Sequence, residues 1–229
     1  MSNVNKNILT ANNVYKSYQV GRNKRLTVLK GIDVHIKSGE ILSIIGPSGV
    51  GKSTLLHIIG ALDRPDKGKV VINNQNIYNM EDKKLAYFRN QEIGFVFQFH
   101  YLLPEFTALE NVAMPALISG KDKNEAFQKA EKLLEEVNLK QRLNHKPNEL
   151  SGGENQRVAF ARSFMNEPLL ILADEPSGNL DQANSEFLHD MMWDLVRKKN
   201  KSFIIVTHEK DLAEKTDRII ELSDGRVRY

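Results

Sequence analysis

One eight-residue segment, GPSGVGKS at Gly46–Ser53, constrains the fold of this chain more than any other part of its sequence. It fits the pattern G-x-x-x-x-G-K-[ST], follows the apolar and β-branched run Glu40–Ile45, and opens a predicted helix at about Lys52–Leu62. Glycines in such a loop let backbone N–H groups turn inward around an anion, and the helix start adds partial positive charge. The segment therefore predicts a phosphate-binding loop between a buried strand and a helix, in an α/β fold.

The side chains of this loop indicate how the phosphates of a nucleotide would be held. Lys52 supplies a full positive charge to the outer phosphates, and the hydroxyl of Ser53 is a ligand for Mg²⁺. ATP and Mg²⁺ are therefore the predicted cofactors. The residues of the loop predicted to bind the nucleotide are Gly46, Pro47, Ser48, Gly49, Val50, Gly51, Lys52, Ser53 and Thr54.

A second apolar strand, predicted at Leu169–Ala173, ends in the adjacent carboxylates Asp174 and Glu175. Buried strands rarely end in adjacent acids unless a cation is present, and a carboxylate beyond the phosphate loop is what a Mg²⁺ site needs. We predict Asp174 as a metal ligand and Glu175 as the residue that positions and polarises the attacking water. Taken by itself, the pair is also compatible with a surface turn.

Three further candidates stand at the ends of predicted strands. His208 follows Ser202–Val206, on the rim where α/β sheets bind ligands, and its imidazole is suited to donate to a γ-phosphate oxygen. Gln98 follows Gly94–Phe97 and is a candidate contact for Mg²⁺ or for water. Tyr18 ends the first predicted strand and offers a ring face on which adenine would stack. For each of the three, an ordinary structural role is the alternative.

The segment LSGGENQ, Leu150–Gln156, carries two glycines but has no strand leading into it and no lysine after it. Ser151 and Glu154 form a capping box, so the start of a helix accounts for the segment. A helix start with two glycines is also an anion site, although the phosphate loop already has a helix start of its own. Two copies arranged head to tail would let each lend Ser151 and Gly153 to the ATP of the other. The predicted nucleotide contacts of this segment are Ser151, Gly152, Gly153 and Glu154.

The rest of the chain predicts strands alternating with helices, and hence a mainly parallel sheet. Residues 8–18 and 27–36 alternate apolar and polar side chains, which indicates an antiparallel hairpin with GRNKR at its tip. A final hairpin is predicted to turn at Ser223–Gly225. Further strands are predicted at about Lys69–Ile72 and helices at about Asn184–Lys198.

Between residues 99 and 150 only helix signals occur. Thr107 opens a capping-box pattern, and Asn124–Val137 has apolar residues near helical spacing. We therefore predict a single domain, residues 1–229. Its expected parts are a core with a β-subdomain, at 1–98 and 151–229, and an inserted helical subdomain at 99–150.

Composition places the chain among ordinary globular proteins, with 41% hydrophobic and 27% charged residues in 229. The net charge of +3 is too mild to argue for nucleic acid, so no nucleic-acid partner is expected. The absence of cysteine excludes disulfides, thiolate metal sites and a cysteine nucleophile. The first residues lack the apolar core of a signal peptide, and no apolar run approaches the roughly 18 residues that span a bilayer. We expect a cytoplasmic protein that reaches a membrane through a partner.

In order and spacing, GPSGVGKST, Gln98, LSGGENQ, LILADEPSGNLD and His208 resemble the ATP-binding-cassette (ABC) ATPases over nearly the whole chain. The resemblance implies a RecA-like P-loop NTPase core with an antiparallel β-subdomain and an inserted α-helical subdomain. It also implies a head-to-tail homodimer that encloses ATP, and integral membrane permease subunits as partners. It assigns Tyr18 to adenine stacking, Gln98 to the link with the partner, and Ser177–Asp181 to communication across the dimer.

The run Phe97–Pro115, with LLPEFTALENVAMP as its most distinctive part, resembles the lipoprotein-releasing ATPases of this family. It implies a translocase that works at the cytoplasmic face of the inner membrane. Macrolide-exporter ATPases, which move peptides or drugs, and cell-division ATPases are similar elsewhere but differ in this run, and they are the alternative. DNA-repair relatives carry a long coiled coil between the two motifs, and Thr54–Leu150 has no sustained heptads. Asn155, Phe160 and Ser177 depart from the residues most common in the family.

Overall fold

The computed structural model describes residues 7–21 and 24–228. Residues 1–6, Tyr229, and Arg22 and Asn23 in the tip of the predicted first hairpin lie outside the described residues. The strands are β1 (Asn7–Gln19), β2 (Arg25–Lys37), β3 (Ile41–Ile45), β4 (Lys67–Ile72), β5 (Gln75–Asn76), β6 (Ile93–Phe97), β7 (Leu170–Asp174), β8 (Ser202–Val206), β9 (Arg218–Ser223) and β10 (Arg226–Arg228). The helices are α1 (Lys52–Ile59), α2 (Asp82–Glu92), α3 (Ala108–Ile118), α4 (Lys123–Glu136), α5 (Gly152–Ser163), α6 (Gln182–Lys198) and α7 (Lys210–Glu214).

The chain divides into two compact units. The first comprises residues 1–89 and 202–229, and the second comprises residues 90–201. The segment 99–150, predicted as a helical subdomain, lies within the second unit. The limits of the compact units therefore differ from those of the predicted subdomains, which remain a prediction.

The first unit contains an antiparallel sheet and a set of mainly parallel strands. The sheet has the order β2-β1-β4-β5. The antiparallel pairing of β1 with β2 confirms the pairing predicted from the alternation of apolar and polar residues. In the second set, β3 runs parallel to both β8 and β9, and β10 closes a hairpin with β9. Ile41, Leu42 and Ile44 of β3 are fully buried, because a strand between two parallel neighbours is covered on both faces.

The second unit combines two parallel strands with four helices. β6 pairs with β7 in a register that places Phe97 opposite Asp174. The helix α5 packs against β6 and also against α3, α4 and α6. The predicted capping box at Thr107 is confirmed, since the side chains of Thr107 and Glu110 each accept a hydrogen bond from the backbone N–H of the other. None of the helices described in either unit is long and apolar enough to cross a membrane.

Two elements were not predicted from the sequence. The helix α2 buries only Leu85, so its sequence DKKLAYFRNQE lacks the apolar stripe that marks an amphipathic helix. The strand β5 has two residues, too few for a visible alternation. Several predicted ends shift by two or three residues: α1 ends at Ile59 rather than Leu62, and α6 begins at Gln182 because Asp181 caps it.

Candidate functional site

The helix α1 begins directly after the glycine-rich loop, and within the described chain no side chain caps its start. Its N-cap residue is Gly51, which has a left-handed backbone with φ of 106°. A Cβ atom at Gly51 would lie 2.8 Å from Cδ2 of Leu29 and 2.9 Å from Cγ1 of Val28, so glycine is required both by conformation and by space. The first-turn N–H donors of α1 are therefore available to an anion.

Lys52 and Ser53, the first two residues of α1, differ sharply in exposure. Lys52 is 8% exposed, and its Nζ donates hydrogen bonds to the backbone oxygens of Gly46 at 2.8 Å and Pro47 at 3.1 Å. The loop thus holds a full positive charge against its own backbone. Ser53 is exposed, as a hydroxyl that serves as a metal ligand must be.

His208 lies close to this loop because of the strand order in the first unit. The register of the parallel strands β3 and β8 places Ile44 opposite Val206, and the N–H of Thr207 donates to the oxygen of Ile44 at 3.2 Å. Gly46 and His208 are each two residues beyond that pair, so both leave the sheet at the same edge. The imidazole of His208 is exposed there. The structure therefore places His208 beside the phosphate loop.

Tyr18, near the end of β1, is held by a cluster of polar groups. Its hydroxyl donates to Oδ2 of Asp63 at 2.7 Å, and it also shares a side-chain hydrogen bond with Thr54, the third residue of α1. Lys16 donates to Oδ1 of Asp63 at 2.6 Å and to the oxygen of Arg64 at 2.7 Å, with its Nζ 5.0 Å from the centre of the Tyr18 ring. Tyr18 is 38% exposed, so it is not enclosed by this cluster.

The charges of this cluster are fixed by its hydrogen bonds. Burial and the hydrogen bond to Asp63 raise the pKa of Tyr18 above its usual value, so the phenol stays protonated. Burial would by itself raise the pKa of Asp63, but the hydrogen bonds from Lys16 and Tyr18 lower that pKa below its usual value. A protonated Tyr18 beside an ionised Asp63 is a stable donor–acceptor pair.

In the second unit, Gln98, Asp174 and Glu175 lie at one edge of the strand pair β6–β7. Phe97 and Asp174 are opposite each other, so Gln98 and Glu175 are the next residues on neighbouring parallel strands. Glu175 has a positive φ of 46°, which is uncommon for a residue with a side chain.

The helix α5 begins with a complete capping box, as the sequence predicted. The N–H of Glu154 donates to Oγ of Ser151 at 3.2 Å, and the N–H of Ser151 donates to Oε2 of Glu154 at 2.8 Å. Arg142 adds a hydrogen bond from its Nε to Oε1 of Glu154 at 2.8 Å. The bonds from Arg142 and from the N–H of Ser151 lower the pKa of Glu154 to about 2. The O–H of Ser151 is not used by the box, and Ser151 and Gly152 are both exposed.

Within the first unit the predicted site residues thus come together around the phosphate loop. Within the second unit they form two groups, one beside β7 and one at α5.

Three supporting residues were not predicted from the sequence: Lys16, Asp63 and Arg142. Asp63 is 45 residues from Tyr18, and Arg142 is 12 residues from Glu154. No motif spans those separations, so a single sequence carries no signal for them.

The candidate metal ligands are the hydroxyl of Ser53, the carboxylate of Asp174 and the amide oxygen of Gln98. All three are hard oxygen donors, the chemistry that Mg²⁺ prefers. Each of these side chains, taken by itself, therefore has the donor chemistry that Mg²⁺ prefers.

Comparison with known proteins identifies the family of the chain. The sequence model of the family described as ABC transporter matches residues 29–178. The chain is 54% identical to the lipoprotein-releasing system ATP-binding protein LolD of Porphyromonas gingivalis, covering 95% of this chain and 97% of that one. It is 56% identical to the protein of the same name from Bacteroides fragilis, covering 88% and 94%. The dimeric structure of an ATP-binding cassette in a post-hydrolysis state, bound to ADP and Pi, is similar with a TM-score of 0.89 and 41% identity, covering 96% of this chain and 97% of that one.

Proposed function

The chain belongs to the ABC transporter family, and on that premise we propose that it is the ATP-hydrolysing subunit of a transporter that releases lipoproteins from the inner membrane. The observation that carries the proposal is similarity over almost the full length of both chains. The two relatives described above are named for lipoprotein release, and each shares more than half of its aligned residues with this chain. The run Phe97–Pro115 is the part of the sequence that resembles this subgroup most distinctively.

We assign the hydrolytic roles as follows. Lys52 donates to oxygens of the β- and γ-phosphates, and Tyr18 stacks on adenine. Glu175 accepts a proton from the water that attacks the γ-phosphorus, and His208 donates to a γ-phosphate oxygen as charge develops there. Mg²⁺, held by Ser53, Asp174 and Gln98, would neutralise charge on the transferring phosphoryl group. The products are ADP and inorganic phosphate.

The segment at the start of α5 requires a second copy of the chain. We propose a head-to-tail homodimer in which Ser151, Gly152 and Gly153 of one copy bind the γ-phosphate held by Lys52 of the other. What supports this is the exposure of Ser151 and Gly152 and the O–H of Ser151, which its own capping box leaves to donate. Because only interactions that differ between open and closed dimers do work, closure on ATP supplies the energy for transport.

The remaining partners follow from the proposed role. The dimer acts on integral membrane permease subunits of the LolC/LolE type, at the cytoplasmic face of the inner membrane, and is peripheral to that membrane. The helical segment that follows Gln98 is the expected docking region for the permease. The mild net charge of +3 gives no reason to expect nucleic acid as a partner.

The test is reconstitution with the permease that co-purifies with the chain. The complex is placed in liposomes loaded with a triacylated, fluorescently labelled lipoprotein, and release into the aqueous phase is measured with Mg·ATP. We expect release that requires hydrolysis and that stops in the Glu175→Gln variant, while ATP binding persists.

The same preparation separates the alternatives. Export of peptides or macrolides by the complex, without lipoprotein release, would replace the proposal with the exporter function. If Glu175→Gln hydrolysed ATP at an undiminished rate, the role given to Glu175 as general base would be wrong, whatever the cargo.

A further inference from the structure

The side chain of Gln98 is held by Asn179, a residue of the segment Ser177–Asp181. The Nε2 of Gln98 donates to Oδ1 of Asn179 at 3.2 Å, and the Nδ2 of Asn179 donates to the backbone oxygen of Gln98 at 3.0 Å. The two residues are 81 positions apart and both lie in the second unit. One asparagine therefore binds both the main chain and the side chain of Gln98.

This pair of bonds fixes which end of the Gln98 amide faces outward. A backbone oxygen can only accept, so the NH₂ group of Asn179 must face it. The Oδ1 of Asn179 then faces the side chain of Gln98, where only the NH₂ group can donate to it. The Oε1 of Gln98 consequently points away from Asn179, and this oxygen is the atom that a cation or a water hydrogen needs.

The loop that carries Asn179 is itself held by hydrogen bonds. The N–H of Gly178 donates to the oxygen of Glu175 at 3.0 Å, and the N–H of Leu180 donates to the oxygen of Ser177 at 2.9 Å. Asp181, at the end of the loop, caps α6 through the N–H of Asn184 at 2.9 Å. Asn179 is thus set by Glu175 on one side and by α6 on the other.

Gly178 makes the close approach possible. A Cβ atom at this position would lie 2.9 Å from Nε2 of Gln98 and 3.3 Å from its Cδ. A side chain at residue 178 would therefore displace the amide of Gln98. The preceding residue, Phe97, is held by α5, where Nε2 of Gln156 donates to the backbone oxygen of Phe97 at 2.8 Å.

We propose that Asn179 is a positioning residue that orients the amide of Gln98 so that Oε1 faces the metal and the attacking water. Because the loop of Asn179 begins at Glu175, the same contact sets Gln98 relative to the proposed general base. The inference rests on the proposed role of Gln98. In this inference Asn179 touches neither nucleotide nor metal, but it sets which end of the Gln98 amide faces them.

The experiment is a double-mutant cycle on the purified full chain, with Asn179→Ala, Gln98→Ala and the double variant. Steady-state ATP hydrolysis is measured over a range of Mg²⁺ concentrations. We expect Asn179→Ala to lower kcat about tenfold and to raise the half-saturating Mg²⁺ concentration, with KM for ATP within about twofold, because misplacing a catalytic contact affects turnover more than binding. In the Gln98→Ala background, Asn179→Ala should cost nothing further.

A second measurement does not depend on turnover. NMR of the nucleotide-free chain follows the side-chain NH₂ signals of Gln98, identified by their loss in Gln98→Ala. We expect Asn179→Ala and Gly178→Ala both to shift these signals and to speed their exchange with solvent. Asn124→Ala, an exposed asparagine on α4, is the matched control and should change neither the NMR signals nor the kinetics.

The outcomes distinguish failure of the positioning role of Asn179 from failure of the proposed role of Gln98. If Gln98→Ala leaves kcat and the Mg²⁺ dependence unchanged, the role of Gln98 fails and the inference fails with it. If Gln98→Ala impairs hydrolysis but the effects of the two changes multiply in the double variant, Asn179 acts independently of Gln98, and only the inference is overturned. Unchanged Gln98 signals in Asn179→Ala would overturn it as well.

Discussion

The helices α1 and α5 both have glycine at their starts, and both are proposed to bind phosphate, yet they begin in opposite ways. Gly51 gives α1 a start without a side-chain cap in the described chain, and Lys52 brings a nearly buried ammonium to it. Ser151 and Glu154 give α5 a complete capping box, which Arg142 reinforces. One helix start leaves its donors to a ligand, whereas the other satisfies its own.

This difference predicts that α1 serves mainly to bind ATP and that α5 acts when two copies of the chain assemble. A helix start that leaves its donors unsatisfied gains most from an anion, so α1 should supply most of the affinity for ATP. A helix start that is already capped gains less, so α5 should add little affinity to one copy of the chain. The start of α5 should act when it meets the γ-phosphate of ATP held by a second copy. We therefore expect α5 to be required for ATP hydrolysis rather than for ATP binding.

The largest effect should follow from removing the charge at α1. We expect Lys52→Met to lower kcat/KM for ATP by about 10³-fold, since this ammonium is proposed to act on both the ground state and the transferring phosphoryl group. Nucleotide should also stop stabilising the chain, where saturation at about 100 times Kd otherwise adds about 2.7 kcal/mol. Thermal unfolding with and without Mg·ATP measures this.

Lys69→Met is the matched control for Lys52→Met, because Lys69 is an exposed lysine of β4 in the same unit. It should leave both the activity and the nucleotide-dependent stabilisation unchanged. Stabilisation by Mg·ATP that survives in Lys52→Met would remove the distinction between the two helix starts.

The next effect separates the two roles given to Ser151. Aspartate is as good an N-cap as serine, so Ser151→Asp should keep the stability of α5 while its carboxylate repels a phosphate. We expect hydrolysis to fall by about 10²-fold in Ser151→Asp, with ATP binding to the single chain within about twofold. Thr107→Ala, which removes the corresponding cap of α3, should instead cost about 1 kcal/mol of stability and leave hydrolysis intact. Urea unfolding and steady-state kinetics make the comparison.

Mixing variants tests whether the two helix starts meet across copies of the chain. A mixed dimer of Lys52→Met and Ser151→Asp contains one site in which both Lys52 and Ser151 are intact, if the copies bind head to tail. Activity should therefore reappear on mixing two inactive proteins. Failure to recover any hydrolysis would contradict the shared site while leaving the role of Lys52 unaffected.

The sequence predicted the local features of the site but not the contacts between residues that are far apart in the chain. The phosphate loop and the capping boxes at Thr107 and Ser151 are local patterns, and the structure confirms the elements they open. The contacts of Tyr18 with Asp63 and of Gln98 with Asn179 join side chains 45 and 81 residues apart. Such pairs are set by strand order and register, which a single sequence does not specify.

A smaller effect on ATP affinity is expected from changing Asp63, which lies far from Tyr18 in the sequence but holds its hydroxyl. In Asp63→Asn, the amide cannot serve as an anionic acceptor for both Lys16 and Tyr18, so the ring of Tyr18 should lose its fixed position. We expect ATP affinity to fall about fivefold, a fraction of what loss of a stacking ring costs. Affinity for inorganic tripolyphosphate, which has no base, should stay unchanged.

Asp82→Asn is the control for Asp63→Asn, since Asp82 forms an exposed ion pair with Arg64, at 2.8 Å. Calorimetric titration with ATP and with tripolyphosphate distinguishes the cases. Equal losses for the two ligands would mean that Asp63 supports the phosphate loop and not the adenine platform.

The smallest effect concerns the stability of α5 itself, and it depends on pH. The pKa of Glu154 is held at about 2 against an ordinary 4.5, so its ionised form stabilises the fold fully above about pH 4.5 and this contribution is lost as pH falls toward 2. Glutamine keeps one oxygen for the N–H of Ser151, so Glu154→Gln preserves the capping box but removes both the charge and the acceptor for Nε of Arg142. Allowing for solvent screening, we expect Glu154→Gln to cost about 1 kcal/mol of unfolding free energy at pH 7 and less than half of that at pH 3.

Urea unfolding between pH 7 and pH 3 measures this difference, with Glu110→Gln as the matched change in the capping box of α3. The pKa of Glu110 is also lowered, chiefly by the backbone hydrogen bond from Thr107, but no arginine is among the causes. Its substitution should therefore cost less than that of Glu154 and vary less with pH. Because α5 is capped from within its own chain, the cost of Glu154→Gln should be the same with and without Mg·ATP. A cost that appeared only with nucleotide would mean that α5, like α1, completes its start with a ligand.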